Sequence, residues 1–110
     1  MIDLANKKII LTGGSRGIGL SILNEIYKLK AEILIIGTNQ ERLEDAKKQF
    51  PNIIIKNFNL SEHEHIEKNF KSYCEELGGI DVLINNAGIT KDNLALRMSF
   101  NEWKTVLDVN

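Results

Sequence analysis

A glycine-rich loop within residues 7–29 constrains the fold more than any other part of the sequence. A short apolar run at 9–11 leads into this loop. Four glycines lie within seven positions: Gly13, Gly14, Gly17 and Gly19. Apolar residues then recur at the spacing of one helical face: Ile18, Ile22, Leu23, Ile26 and Leu29. This order predicts a strand, a tight glycine turn and a helix at about 16–30.

The predicted turn has the properties of a phosphate-binding loop. Glycine has no Cβ, so the backbone can adopt a positive φ and a ligand can approach it closely. The following helix directs unpaired N–H groups and a partial positive charge toward the loop. We therefore predict that the phosphates of a nucleotide bind to the loop. The residues of this site are Gly13, Gly14, Ser15, Arg16, Gly17, Ile18 and Gly19. A tight turn that binds no ligand is the alternative.

The same loop permits a second interpretation. Residues 13–17 also read G-x-S-x-G, the nucleophile elbow of serine hydrolases, with Ser15 as the nucleophile. The two histidines, His63 and His65, lie in a charged stretch, and no earlier strand supplies a second oxyanion donor. We therefore favour the phosphate-binding interpretation over the hydrolase.

Composition indicates one domain with no strong charge preference for a partner. The 110 residues are 43% hydrophobic, which is enough for one core, and the net charge is −1. No basic patch suggests nucleic-acid binding, and no segment suggests a signal peptide or a membrane span. The single cysteine, Cys74, can form no internal disulfide, which fits a reducing compartment. We expect a cytoplasmic protein without nucleic-acid or membrane partners.

Four apolar runs alternate with four helical patterns along the chain. We predict strands near 8–12, 33–37, 53–55 and 81–84. Three capping-box spacings predict helix starts: Thr38-x-x-Glu41, Ser61-x-x-Glu64 and Ser99-x-x-Glu102. Pro51 ends the second helix, Gly78 caps the third, and the last helix runs to Asn110.

This alternation predicts an α/β fold with a parallel sheet, because strands separated by helices need crossover connections. Continuous apolar runs are typical of strands that are covered on both faces. We expect a Rossmann-like doubly wound sheet with strand order 3-2-1-4, truncated after the helix that follows strand four. The glycine loop and residues 85–88 would then meet at the carboxyl ends of strands one and four. Strand four would be an exposed edge.

Two motifs together resemble a known family. Residues 12–19 read T-G-x-x-x-G-x-G and residues 85–88 read N-N-A-G, and both are similar to motifs of the short-chain dehydrogenase/reductase family. On its own, N-N-A-G would be read as a plain loop. The resemblance implies that residues 1–110 are the NAD(P)-binding Rossmann domain, the N-terminal half of a longer reductase. It also implies that Asn86, Ala87 and Gly88 belong to the cofactor site.

A narrower resemblance concerns one branch of that family. Residues 14–19 and 86–94, with Arg97, Met98 and Trp103, are similar to the 3-oxoacyl-[acyl-carrier-protein] reductases of fatty-acid synthesis. This implies NADPH-dependent reduction of 3-oxoacyl thioesters, with a substrate linked to acyl carrier protein. It also implies a homotetramer when the protein is full length. Another reductase of the family is the alternative, as is a non-catalytic nucleotide-binding fragment.

The charge at the end of strand two favours NADP(H) over NAD(H). NAD-binding sheets usually place an Asp or Glu there, on the ribose 2′-hydroxyl. Here the sequence is Gly37-Thr38-Asn39, so no carboxylate would repel a 2′-phosphate. Arg16 could pair with that phosphate as a fork, or it could be a solvated loop charge. We predict NADP(H) as the cofactor, with Thr38 and Arg16 in the site.

Asn59 and Leu60 follow the third strand and are further candidates for the cofactor site. In similar proteins an Asp often occupies this place and contacts adenine, and the amide of Asn59 offers both a donor and an acceptor. Alternatively, Asn59 only turns the chain before Ser61.

Four other residues are interpreted as structural. Cys74 lies beside the buried stripe of the third helix and is expected to be packed rather than nucleophilic. His63 and His65 point apart in the first turn of that helix, so no metal site is expected. Trp103 is expected to pack its helix.

The family's catalytic residues are largely missing. The resemblance implies a Ser and a Tyr-x-x-x-Lys pair, aided by an Asn in the helix after strand four, which Asn110 matches. The two tyrosines, Tyr27 and Tyr73, are followed four residues later by Ala31 and Leu77 rather than by Lys. We therefore expect a fragment or an interrupted reading frame that does not catalyse hydride transfer alone.

Overall fold

The computed structural model describes residues 3–86 and 106–108, and in these ranges it forms a parallel sheet flanked by helices. The strands are β1 (Lys8–Thr12), β2 (Glu32–Gly37), β3 (Ile54–Asn57), β4 (Val82–Asn85) and β5 (Val106–Asp108). The helices are α1 (Gly17–Lys28), α2 (Gln40–Gln49) and α3 (His63–Leu77). The strand order is β3-β2-β1-β4-β5, and every pairing is parallel. The predicted α/β class and the order 3-2-1-4 are confirmed.

The fifth strand differs from the sequence prediction. Residues 106–108 pair in parallel with β4, with Leu83 opposite Val106 and Asn85 opposite Asp108. The predicted helix to Asn110 is therefore wrong at 106–108, and β4 is not an edge strand. The physical reason is that a free strand edge offers unpaired backbone groups to an adjoining extended segment, and Val106 favours extended backbone. The rest of that predicted helix, with Trp103, lies outside the described residues.

Two apolar layers cover the two faces of the sheet. On one face, alternate strand residues pack with α3 around Phe70: Ile10, Leu34, Ile36 and Leu83. On the other face, the intervening residues pack with α1 and α2: Ile9, Leu11, Ile33, Ile35 and Ile84. Since both faces are buried, the strands need apolar side chains at successive positions, and the sequence accordingly has continuous apolar runs.

The helix starts differ in detail from the capping-box predictions. The side chain of Asn39, not Thr38, caps α2, and its Oδ1 accepts a hydrogen bond from the Arg42 N–H at 3.0 Å. Helix α3 begins at His63, and the residue before it, Glu62, makes no side-chain cap. The predicted boxes at Thr38 and Ser61 are therefore wrong. Gly78 ends α3 with a left-handed φ of 90°, as predicted.

Candidate functional site

The carboxyl ends of the first four strands surround one open cleft of about 740 Å³. It lies where the strand order reverses, since Thr12 at the end of β1 is opposite both Ile36 of β2 and Asn85 of β4. The lining residues are Gly13, Ser15, Arg16, Gly17, Ile36, Gly37, Thr38, Asn39, Arg42, Phe58, Asn59, Leu60, Ser61 and Asn86. Doubly wound sheets bind their ligands at this place.

The glycine loop forms one wall of the cleft and leads directly into α1. Helix α1 begins at Gly17, whose φ is +57°, a left-handed conformation that side chains other than glycine rarely adopt. The preceding residue, Arg16, is extended and makes no side-chain cap. The first N–H groups of α1 therefore have no side-chain cap from Arg16, and they carry the positive end of the helix dipole.

Gly19 allows the start of α1 to approach the loop. A Cβ at this position would lie 1.8 Å from the carbonyl oxygen of Gly13 and 2.7 Å from the side-chain nitrogen of Asn86. No side chain fits in that space. Gly19 is buried behind the loop and does not line the cleft, so its contribution to the site is to hold the loop against the helix.

A buried hydrogen-bond network joins the ends of β1 and β4. The hydroxyl of Thr12 donates to Oδ1 of Asn85 at 3.0 Å and accepts from the backbone N–H of Asn86 at 2.9 Å. The side-chain amide of Asn86 then donates to the carbonyl oxygen of Gly13 at 3.1 Å. Thr12 and Asn85 are 0% and 2% exposed. The side-chain hydrogen bonds of Asn85 and Asn86 thus connect adjacent backbone segments.

The end of β2 forms the floor beside the glycine loop. A Cβ on Gly37 would lie 3.3 Å from Oγ of Ser15 and 3.2 Å from the side chain of Leu43, so a side chain here would displace a neighbour. Thr38 follows and is exposed in the cleft. Among the described lining residues none is Asp or Glu, whereas Arg16 and Arg42 are both exposed there.

Arg42 is the functional candidate that the sequence prediction missed. It lies in the first turn of α2, two residues into the helix from Gln40, and it lines the cleft. A basic residue in a helical stretch with several charged neighbours resembles an ordinary solvated side chain. The signal that could have identified it is its place in the first turn of the helix that follows β2, because dinucleotide sites bind the ribose at the end of that strand.

The end of β3 supplies the remaining wall. Oδ1 of Asn59 accepts hydrogen bonds from the backbone N–H of Ser61 at 2.9 Å and from its hydroxyl at 2.7 Å. Asn59 therefore turns the chain, and it also lines the cleft. Leu60 lines the cleft as well, although it is largely buried in the core. Asn59 can therefore turn the chain before Ser61 and also contact a ligand in the cleft, so the two predicted roles are compatible.

The structure brings most of the predicted cofactor residues together, and separates some from the cleft. Gly14 is buried and faces the core, because a Cβ there would lie 2.9 Å from Ile35. Ile18 is exposed on α1 without lining the cleft. Ala87, Gly88 and Asn110 lie outside the described residues.

Tyr73 is the titratable group whose environment is most clearly perturbed in the described part of the chain. It packs on α3 against Phe58 and Phe70, with ring centroids 6.5 and 6.2 Å away. Burial raises the pKa of its hydroxyl, and the negative charge of Glu76 raises that pKa further. Tyr73 does not line the cleft, so we interpret it as structural.

Two other reactive side chains of the described region, those of Cys74 and His65, do not line the cleft. Cys74 lies in α3 and is buried in the core, as predicted for a packed side chain. His63 and His65 occupy the first turn of α3. Within residues 3–86, no group of three or more His, Cys, Asp or Glu could hold a metal ion. Over the same described range, no helix has the length and apolar character needed to span a membrane.

Comparison with known sequences gives a consistent family match. The family model described as short chain dehydrogenase matches residues 7–110. A 3-oxoacyl-[acyl-carrier-protein] reductase of Chlamydia pneumoniae is 36% identical over 113 residues, which cover 99% of this chain and 46% of that protein. The protein of the same name from Aquifex aeolicus is 39% identical over 114 residues, with 99% and 46% covered. The chain therefore spans a little under half the length of these relatives.

Solved structures share the architecture. A short chain dehydrogenase from Bacillus anthracis superposes with a TM-score of 0.67 and 34% identity, covering 74% of this chain and 34% of that one. The 2-keto-3-deoxy-D-gluconate dehydrogenase from Streptococcus agalactiae gives a TM-score of 0.72 with 27% identity, covering 90% and 39%. The fold of the chain is thus shared with these dehydrogenases.

Proposed function

The chain belongs to the short-chain dehydrogenase family, a family of oxidoreductases, and on that premise we propose that its cleft binds the adenosine and pyrophosphate parts of NADP(H). The observation that carries the proposal is the hydrogen bond from Asn86 to Gly13, which joins the end of β4 to the glycine loop. The glycine loop and Asn86 of the second motif both line the cleft at the reversal of strand order.

The residues of the cleft suit a dinucleotide. The backbone N–H groups at the start of α1 would hold the pyrophosphate, at a loop in which Gly19 leaves no room for a side chain. Thr38 and Arg16 would contact the phosphorylated ribose, and Asn59 and Leu60 the adenine. Ala87 and Gly88 would extend the site beyond Asn86. When bound, the reduced nicotinamide supplies a hydride to a substrate carbonyl.

We assign NADP(H) rather than NAD(H) from the charge of the cleft. Position 38, just after β2, is Thr rather than Asp or Glu, and no described lining residue is acidic. A carboxylate at this place would hydrogen-bond a free 2′-hydroxyl and repel a 2′-phosphate. The exposed guanidinium of Arg16 instead offers paired N–H donors for that phosphate.

We propose 3-oxoacyl thioesters carried by acyl carrier protein as substrates of the whole enzyme. This rests on the names of the relatives and on their 36–39% identity over nearly the entire chain. Neither tyrosine of these 110 residues begins a Tyr-x-x-x-Lys pattern. Asn110 is proposed as the helical Asn that assists catalysis in the family. The chain would thus carry the cofactor half, with a cytoplasmic homotetramer proposed for the full-length protein.

Two measurements test the proposed function. Calorimetric titration of the chain with NADPH and NADH is expected to show tighter binding of NADPH, and equal affinities would contradict the cofactor assignment. The chain alone is expected to reduce no acetoacetyl thioester. A chimera of residues 1–110 with the remainder of the Aquifex aeolicus relative is expected to do so with NADPH. Robust reduction by residues 1–110 alone would contradict the division of roles.

A further inference from the structure

Two guanidinium groups reach the cleft from different elements. Arg16 belongs to the glycine loop before α1, and Arg42 belongs to the first turn of α2. Both are exposed and both line the cleft, on either side of Gly37 and Thr38 in the chain. The end of β2 and the two arginines therefore line the same cleft.

Helix α2 is fixed at the point where it presents Arg42. The backbone N–H of Arg42 donates to Oδ1 of Asn39 at 3.0 Å, which caps the helix immediately after β2. The side-chain amide of Asn57, at the end of β3, donates to Oε1 of Gln40 at 3.1 Å. The next residue, Leu43, is fully buried under the sheet. One hydrogen bond to the Arg42 backbone and two contacts of neighbouring residues thus fix this turn of α2, so less conformational entropy is lost when Arg42 engages a ligand.

The charge of Arg42 is available to a ligand. The ion pairs found among the described residues involve Lys8, Lys28 and Lys56, and neither Arg16 nor Arg42 takes part in one of them. No described residue lining the cleft is acidic. A group that is doubly negative and of phosphate size would therefore meet two guanidinium groups and no competing carboxylate in this part of the cleft.

We propose that Arg42 is a specificity-determining residue that contacts the 2′-phosphate of the adenosine ribose from the α2 side, opposite Arg16. This inference rests on the proposed NADP(H) site and adds a second cation to it. A phosphomonoester has three terminal oxygens, so it can accept paired N–H donors from one guanidinium and further hydrogen bonds from another. A ligand with a free 2′-hydroxyl gains nothing from Arg42.

The test is calorimetric binding of 2′,5′-ADP and of 5′-AMP to the chain and its variants. These two probes differ by the 2′-phosphate alone. Arg42→Gln is expected to weaken 2′,5′-ADP binding by about ten- to a hundredfold and to change 5′-AMP binding by less than about twofold. Arg42→Lys keeps the positive charge but lacks the paired N–H donors of the guanidinium, and it is expected to lose less affinity for 2′,5′-ADP than Arg42→Gln does. Lys48→Gln is the control, because Lys48 is an exposed cation of α2 that does not line the cleft.

Each outcome separates this inference from the proposed function. If the wild-type chain prefers 2′,5′-ADP and Arg42→Gln keeps that preference, the role of Arg42 is wrong and the NADP(H) site stands. If Arg42→Gln weakens both probes equally, or Lys48→Gln has the same effect as Arg42→Gln, the contact with the 2′-phosphate is likewise refuted. If the wild-type chain binds both probes equally or neither, the proposed site fails, and Arg42 with it. Circular dichroism confirms that each variant is folded.

Discussion

The side-chain amide of Asn86 donates a hydrogen bond to the carbonyl oxygen of Gly13 at 3.1 Å, across 73 positions of sequence. This contact positions the glycine loop relative to the end of β4 and so defines the cleft between them. The backbone N–H of the same residue donates to Thr12, and Asn86 is thereby held at two atoms. The shape of the proposed cofactor site therefore depends on a residue outside the loop that forms it.

Replacing Asn86 with Asp is expected to weaken both the fold and nucleotide binding. A carboxylate has the shape of the amide but cannot donate to the Gly13 carbonyl, and it would place two acceptors against each other. We expect the free energy of unfolding to fall by about 1–2 kcal/mol in urea titration. The matched control is Asn52→Asp in the exposed turn after Pro51, which is expected to change stability by less than about 0.5 kcal/mol. Equal effects of the two changes would contradict the role of Asn86.

The hydroxyl of Thr12 is expected to matter more than its methyl group. Thr12→Val keeps the volume but removes the hydrogen bonds to Asn85 and to the Asn86 N–H in a fully buried position. We expect a loss of about 1–3 kcal/mol in the free energy of unfolding, because partners are left buried without this hydroxyl. Thr12→Ser retains the hydroxyl and is the control. If Ser destabilises the chain more than Val does, packing and not hydrogen bonding dominates at this site.

Two glycine substitutions near the loop, Gly19→Ala and Gly17→Ala, are expected to destabilise the chain by different amounts and for different reasons. Gly19→Ala places a Cβ 1.8 Å from the Gly13 carbonyl oxygen, so the loop must move, and we expect a cost above about 3 kcal/mol. Gly17→Ala has no heavy atom within 4 Å of its Cβ, and its cost comes from the positive φ alone, about 1–2 kcal/mol. Chemical denaturation of both variants shows which of them loses more free energy of unfolding. Greater destabilisation by Gly17→Ala would contradict the close approach of helix and loop.

The raised pKa of Tyr73 predicts a loss of stability at alkaline pH. Burial first, and Glu76 second, raise this pKa above the usual 10.0, so the folded chain retains the proton after the unfolded chain has lost it. The free energy of unfolding therefore falls as the pH rises through the interval between 10.0 and the raised value. Tyr73→Phe is expected to flatten this fall.

The contribution of Glu76 to that pKa can be measured separately. Glu76→Gln removes the nearby negative charge and is expected to lower the pKa of Tyr73 while leaving it above 10.0, because burial remains the larger cause. Tyrosinate absorbance of a Tyr27→Phe background reports Tyr73 alone. Glu75→Gln, at the exposed neighbouring position, is the control. A pKa unchanged by Glu76→Gln would contradict the electrostatic effect.

Much of the sheet could be predicted from the sequence because burial on both faces requires continuous apolar runs. The predicted strand 8–12 matches β1, and the glycine loop, the N-N-A-G stretch and the strand order indicated where the cleft would lie. Asn39 and Thr38 are adjacent residues that can both cap a helix, and in the structure Asn39 is the cap. The capping-box spacing favours Thr38, so spacing alone does not predict the cap residue.

Two features depend on tertiary contacts that a linear pattern does not record. Arg42 reaches the cleft because Asn39 and Asn57 fix where α2 starts and where it lies against β3. The strand at 106–108 is only three residues long and exists by pairing with β4, so its own residues give too weak a signal. The sequence prediction missed Arg42 and the strand at 106–108 because both depend on how the helices and strands lie relative to one another.

The most direct test of the proposed cofactor site is the amide NMR spectrum of the 15N-labelled chain titrated with NADP+. We predict saturable shift changes concentrated at the cleft, in the glycine loop 13–17, in 37–42 at the start of α2, in 59–61, and at Asn86. Residues lining the second cleft, near Tyr27 and Asn52 at the opposite ends of the strands, should stay unchanged. Shifts at that second cleft, or no saturable shifts at the glycine loop, would contradict the account.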